Sequence, residues 1–375
     1  MALRPNSEAE LAEYVRGANG PMRIVGGGTR SIGHFGPAEA LETAALTGVS
    51  LYEPGALTLV AGAGTLLADV DAMLAREGQR LPFEVPDLRG LLGRTGSSTL
   101  GGVVATNASG PRRVQVGACR DSLIGVRFVD GSGTVIKNGG RVMKNVTGYD
   151  LVKLMAGSHG TLGVLTEVSF KLLPVPEAAA TVMLYGLDAK AAVAAMAAAL
   201  GSPFEVSGAA HVSAGADGHP VTFLRIEGFE ASVTYRGERL KSLLAGRGEM
   251  AVVTDRAQVD RQWQGLRDVA AFHGTAKDVW RISLKPSDAP EIMARMPAGT
   301  GTCLDWGGGL IWAAVDRGTD LRAQLLPFAG HATQVSGDMA DGIAVFHPEA
   351  PALATLAKGL RAKFDPRGVL NPGLM

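Results

Sequence analysis

The sequence predicts an α+β protein: two mixed α/β units in succession, then a C-terminal helix and turn. Three observations carry the prediction. The 375 residues are 46% hydrophobic and 19% charged, enough to bury more than one core. Helical and strand periodicities alternate from Ser7 to Phe170. Pro174 and Pro176 then interrupt the chain, and the texture beyond them changes. The expected boundaries are 1–176 for the first unit, 177–350 for the second and 351–375 for the C-terminal helix and turn.

Local pattern justifies each element. Ser7 to Arg16 carries Leu11, Tyr14 and Val15 at helical spacing behind a Ser7/Glu10 capping box. Met22 to Val25 and Leu57 to Val60 are short apolar runs bounded by turn residues and read as strands; Leu66 to Glu77 reads as a helix stopped by Gly78. Leu123 to Val129 and Thr134 to Ile136 flank Asp130–Gly133, a hairpin signal. Leu162 to Phe170 alternates as a strand. Beyond the prolines, Ala189 to Leu200 and Ser232 to Leu244 read as helices and Val221 to Glu227 as a strand. Ala352 to Phe364 is a helix with Leu353, Leu356 and Leu360 on one face, and Asp365 to Gly373 forms a turn.

Thirty-six basic and 36 acidic residues cancel, so the totals carry no footprint for nucleic acid or an anionic membrane. Glu8, Glu10 and Glu13 stand where a secretory signal would need an apolar segment, and a cytosolic protein is expected. Cys119 and Cys303 are too few for a disulfide framework or a metal cluster. Glycine, at 51 of 375 residues or about 14%, is double the ordinary share of about 7% and follows no repeat.

Those glycines concentrate in three stretches. VGGGTRS, Val25 to Ser31, follows a strand; successive glycines let backbone N–H groups converge on an anion, and the hydroxyls add donors. The structural alternative is an ordinary tight turn. It is neither a Walker loop nor GxGxxG. GSSTLGGVVATNASG, Gly96 to Gly110, has small residues that allow close approach of a planar ligand; adjacent Gly101 and Gly102 would each cost about 1 kcal/mol in a buried helix. The third stretch is Asn145 to Leu151 with Gly157 to Val164.

Together these stretches, with Pro86 and Asp87, RDSLIG at Arg120 to Gly125, TGYDLVKLMAGSHGTLGVLTE at Thr147 to Glu167 and DPRGVLNPG at Asp365 to Gly373, resemble the vanillyl-alcohol oxidase and p-cresol methylhydroxylase (PCMH) superfamily, in its 2-hydroxy acid dehydrogenase branch. The resemblance implies a PCMH-type FAD-binding domain of two α/β subdomains, a smaller α/β cap and a C-terminal return. It implies FAD contacts at Gly26, Gly27, Gly28, Thr29, Arg30, Ser31, Pro86, Ser98, Thr99, Gly101, Gly102, Asn107, Gly110, Gly160, Thr161, Gly163 and Val164.

The departures bear on the reaction. The HxGDGNxH-type cap motif is absent, His211, His219, His273, His331 and His347 are scattered, and no metal is expected. The glutamate of the family's GSEGTLG is His159, and Val116 replaces an aromatic. His34 lies near a position that relatives link covalently to flavin, but its surroundings do not match, so noncovalent FAD is expected. Catalytic residues stay unassigned. The candidates are Arg281 and Lys285 of WRISLK, cations able to meet a carboxylate or simply solvated on a strand, and His159, a flavin-tuning donor or a neutral loop histidine.

The pattern is similar to FAD-binding subunits of bacterial glycolate oxidases. That implies glycolate oxidation to glyoxylate with a second flavin-binding subunit and an iron–sulfur subunit as partners, and membrane contact only through them. A non-catalytic flavin scaffold or electron relay, a stand-alone 2-hydroxy acid dehydrogenase and a nicotinamide enzyme remain the alternatives.

Overall fold

The computed structural model describes residues 2–33, 36–140, 148–215, 217–337 and 343–374. His34 and Asn145 to Thr147 lie outside them. The first unit runs α1 (Glu8–Gly17), β1 (Met22–Val25), β2 (Glu39–Glu42), β3 (Val49–Glu53), β4 (Thr58–Gly62), α2 (Leu67–Arg76) and β5 (Gln79–Arg80). The short helices α3 (Arg89–Leu92), α4 (Leu100–Ala105), α5 (Arg113–Val116) and α6 (Cys119–Ser122) follow, then β6 (Leu123–Val129), β7 (Val135–Gly139), α7 (Leu151–Met155), β8 (Val164–Lys171) and β9 (Leu173–Pro174). Its main sheet has the order β3-β4-β8-β6-β7, and β1 and β2 form a separate parallel pair. The expected hairpin is β6 with β7.

The second unit contains β10 (Ala178–Tyr185), α8 (Ala189–Leu200), β11 (Val206–Val212), β12 (Val221–Gly228), α9 (Glu230–Leu243), β13 (Met250–Val253), α10 (Arg256–Arg267) and β14 (Asp278–Leu284). It continues with α11 (Ala289–Ala294), β15 (Gly301–Asp305), β16 (Leu310–Val315), α12 (Leu321–Leu325) and β17 (Gly330–Ser336). Its eight-stranded sheet, ordered β13-β10-β12-β11-β15-β16-β14-β17, is the larger of the two main sheets. Six of its strands, β10, β11, β13, β15, β16 and β17, had no sequence reading. β10 and β16 are buried along most of their length and therefore show no alternation to read.

Three local expectations are refined. The capping box of α1 is displaced: Ser7 Oγ accepts from Glu10 N–H, but the Glu10 carboxylate reaches the N–H of Asn6. The WRISLK run is strand β14, with Trp280 and Ile282 wholly buried. The C-terminal helix α13 (Pro351–Phe364) forms, yet none of its residues is buried. The return after it is firmly tied. Met22 N–H donates to Val369 O, Asn371 N–H donates to Met22 O, and the Asn371 side chain accepts from Ile24 N–H and donates to His159 O. The tail thus sits beside β1 and knits the first glycine loop to the third.

Candidate functional site

The loop after β1 opens a cavity of about 110 Å³ whose walls include Gly26 to Ser31, Thr99, Gly101, Gly102, His159, Gly160, Gly163 and Val164, which come from all three glycine stretches. Among the described residues, the backbone N–H groups of Gly26 through Ser31 donate to no protein acceptor. Thr29 is buried and the other five are half-buried against the cavity, so this row of consecutive unspent donors can converge on an external acceptor. The glycines divide by role. A Cβ on Gly27 would lie 1.5 Å from Ser97 O, so this glycine is required for loop-to-loop packing. Gly28, with φ of +69°, faces open space instead, and a Cβ on Gly102 would meet Thr99 Oγ1 at 3.4 Å. The arrangement fits a pyrophosphate.

Other predicted contacts hold the walls together. The Arg30 guanidinium donates to Ser98 Oγ, Thr29 Oγ1 and Pro86 O, clamping the first loop to the second. Its Nε is buried without a partner, and burial pushes its pKa down to about 10, leaving it cationic at neutral pH. Thr99 caps α4 by accepting from Gly102 N–H, and the N–H of Gly101 goes to Ala63 O. Gly101 and Gly102 are therefore helical after all, the two-glycine cost accepted because a Cβ on Gly101 would press on Ala63 at 2.9 Å. Asn107 braces the chain by accepting from Arg120 N–H, and buried Thr161 donates to Ser158 O. Gly110 lies at the boundary with the second unit, where its carbonyl accepts from Trp306 Nε1.

His159 lines the cavity with φ of +50°, its ring edge-on to Phe346 at 5.3 Å. Burial pushes its pKa down to about 4, so the ring is neutral at physiological pH. The hydrogen bond expected for a bland loop histidine is absent from its ring among the described residues. Arg281 leaves β14 for the first unit: its guanidinium stands 5.2 Å from the Trp306 ring, which also carries Arg113 at 4.5 Å. It is not the solvated strand cation that periodicity allowed. Burial and the neighbouring Arg113 push its pKa down to about 10, while burial raises Asp305 beside it to about 7. Lys285 is exposed beyond the end of β14 and joins none of this.

A second cavity, about 580 Å³, lies between the units and was not anticipated. Glu84 takes both Arg225 nitrogens at 2.8 and 3.1 Å, and Glu227 takes Arg112 at 2.9 and 3.0 Å and Arg80 at 2.9 Å. Burial pushes Glu84 up, but the Arg225 and Arg112 guanidinia outweigh it and hold its carboxyl at about 2. Glu227 is likewise lowered. The one sequence signal was Arg225 and Glu227 at alternate positions of an otherwise apolar strand. The scattered histidines also pair unexpectedly: the rings of His331 and His347 meet at 5.7 Å, although the described residues contain no group of three metal-ligating side chains.

Comparison with known proteins is consistent with this geometry. Residues 1–139 match the family model described as "FAD binding domain". The chain is 34% identical to "Glycolate oxidase subunit GlcE" of Escherichia coli over 95% of its own length and 92% of that protein's. It is 45% identical to "Glycolate oxidase subunit GlcD" of Bacillus subtilis over 96 residues, 25% of this chain and 20% of that one. The structure of an alkyldihydroxyacetonephosphate synthase superposes with a TM-score of 0.71 at 17% identity, covering 98% of this chain and 76% of the other, which shows a shared fold. No helix among the described residues is long and apolar enough to cross a membrane. A glycine-lined anion cradle, an FAD-binding family model and a near full-length relative converge: the chain belongs to the glycolate oxidase subunit GlcE family of FAD-linked oxidoreductases, with a PCMH-type fold and FAD as its cofactor.

Proposed function

We propose that this chain is the FAD-binding subunit of a multi-subunit glycolate oxidase, holding FAD noncovalently and supporting oxidation of glycolate, a 2-hydroxy acid, to glyoxylate. The observation that carries the reading is the row of unspent N–H groups from Gly26 to Ser31, with Gly28 open to the same cavity. The substrate class comes from the names of the relatives. FAD supplies a hydride acceptor that can release electrons singly. The protein's own share is binding and orientation: the first loop takes the pyrophosphate, and Gly160, Gly163 and Val164 line the same cavity.

Arg281 is the cation assigned to the substrate carboxylate, because no carboxylate or carbonyl of the described residues accepts a hydrogen bond from its guanidinium. With two cysteines in the sequence, both buried, the iron–sulfur centre that receives the electrons belongs to a partner, alongside a second flavin subunit. A scaffold or relay role is the second reading, favoured by Lys285 standing exposed and His159 lining the cofactor cavity instead of joining Arg281.

The purified protein is expected to be yellow, to release FAD on acid precipitation and, in the assembled complex without oxygen, to lose flavin absorbance on adding glycolate. In that complex Arg281→Ala should raise the glycolate KM roughly 10- to 100-fold. A colourless protein that FAD cannot reconstitute sinks the cofactor role, and an unchanged KM removes Arg281. Bleaching of the isolated chain by glycolate would instead favour a stand-alone dehydrogenase.

A further inference from the structure

The strand β17 ends the eight-stranded sheet, so its outer side faces no neighbouring strand. An edge strand leaves alternate N–H groups to find other acceptors. On β17 two of them are taken by one irregular segment, Ile343 to His347. Gln334 N–H donates to Val345 O at 3.0 Å, and the N–H of wholly buried Ala332 donates to the ring nitrogen Nδ1 of His347 at 3.3 Å. Arg322 of α12, stacked on Trp280 at 5.3 Å, clamps the pair: its Nη2 donates to Ala332 O at 2.9 Å and to Ala344 O at 2.8 Å. Ile343 packs against the core of the second unit.

The other side of the segment rests on walls of the glycine-lined cavity. The Phe346 ring meets His159 edge-on at 5.3 Å, and His159 lines that cavity. A Cβ on Gly33 would lie 3.6 Å from Val345 and 3.5 Å from Leu374, itself a cavity wall. The segment is thus a strap, fastened to the second unit by its backbone and His347, and bearing with Val345 and Phe346 on the first.

His347 is the fastening that can be undone. A neutral imidazole that accepts at Nδ1 carries its proton on Nε2; a second proton makes Nδ1 a donor and turns it against the Ala332 N–H. Charge adds to this, because the groups that act on His347 among the described residues are the Arg322 guanidinium of α12 and the His331 ring of β17, with no carboxylate between them. Burial, Arg322 and His331 hold its pKa below the ordinary imidazole value. The fastened strap therefore takes up the proton less readily than the released one. Its closure is complete above about pH 6.5 and is lost as pH falls below that.

We infer that the strap from Ile343 to His347 closes the FAD cavity and that protonation of His347 unfastens it, so that the chain keeps its flavin at neutral pH and exchanges it in acid. The inference rests on the reading that the glycine-lined cavity holds FAD. The test is the rate at which diluted holoprotein releases flavin at pH 7.5 and at pH 5.5, read from the fluorescence that free FAD regains. The parent should release it about threefold or more faster at the lower pH. His347→Asn keeps an acceptor near the Nδ1 position without a titrating ring and should release flavin slowly at both. His347→Ala and Phe346→Ala should release it fast at both, with Tm close to the parent's.

Asp305 and His159 titrate alike in every variant, so the difference between the parent and His347→Asn belongs to His347. A flat profile in the flavin-loaded parent, or a pH dependence in His347→Asn equal to the parent's, overturns the strap and leaves the cofactor reading standing. A parent that holds no FAD and cannot be reconstituted ends the cofactor reading, and the inference with it.

Discussion

The two cavities of this protein spend their polar groups in opposite ways. In the glycine-lined cavity, six consecutive backbone donors and Arg30 Nε have no acceptor among the described residues. In the cavity between the units, Glu84, Arg112, Arg225, Glu227 and Arg80 saturate one another within one buried network. Unspent donors at the first are ready for a ligand; the second already resembles a bound state, Glu84 holding two guanidinia and Glu227 three. The difference separates a place that recognises from a place that fastens. A buried ion network gains little stability over an apolar substitute, yet losing one partner strands a charge.

The sharpest way to break the comparison is Arg225→Ala. It leaves Glu84 buried with one guanidinium and is expected to cost about 3 to 5 kcal/mol, read as a drop in Tm with loss of the contact between units. A loss below about 1 kcal/mol would show the network to be ornamental. Next comes Gly28→Val, which places a β-branched side chain at φ of +69° facing the cavity. It should weaken FAD binding about 100-fold, with a smaller change in the apoprotein's stability. If the apoprotein unfolds instead, the loop is structural first.

The smallest effect is in acid. His211 bonds Thr222 Oγ1 at 2.9 Å, and burial pushes its pKa down to about 4, as it does for His159. Because the unfolded chain takes up these protons near pH 6.5 and the folded one only near 4, their stabilisation is full above 6.5 and is lost as pH falls between those values. Asp305, raised to about 7 by burial, acts in the opposite sense over the whole of that range. Comparing His211→Gln with the parent isolates the histidine contribution, which should reach roughly 2 kcal/mol at pH 4.5. Parallel Tm profiles from pH 7 to 4.5 would remove it.

Much of this was legible beforehand, and what was not has a common cause. The elements β1, α8 and the β6/β7 hairpin stand where local pattern put them, because caps, turns and periodicity act over a few residues; the return of the tail to β1 was implied by the family resemblance and not by local pattern. The fully buried strands of the second unit were missed because they lack alternation. Gly101 and Gly102 were read as too costly for a helix, since Ala63, which requires a glycine at 101, lies far away in sequence. Lys285 and Arg281 looked equivalent; only the packing of Trp306 against Gly110 set them apart.

By itself, then, the sequence determined a glycine loop able to cradle an anion. Convergent N–H groups need consecutive glycines after a strand, a requirement written in seven contiguous residues, Val25 to Ser31. The tertiary structure alone decided which glycines pack and which stay open, and how the two units are joined. Glu84 and Arg225 stand 141 positions apart, Arg112 and Glu227 115, and no local rule brings such charges together. It also decided that Leu353, Leu356 and Leu360 face outward, since a helical stripe specifies a face but not what covers it.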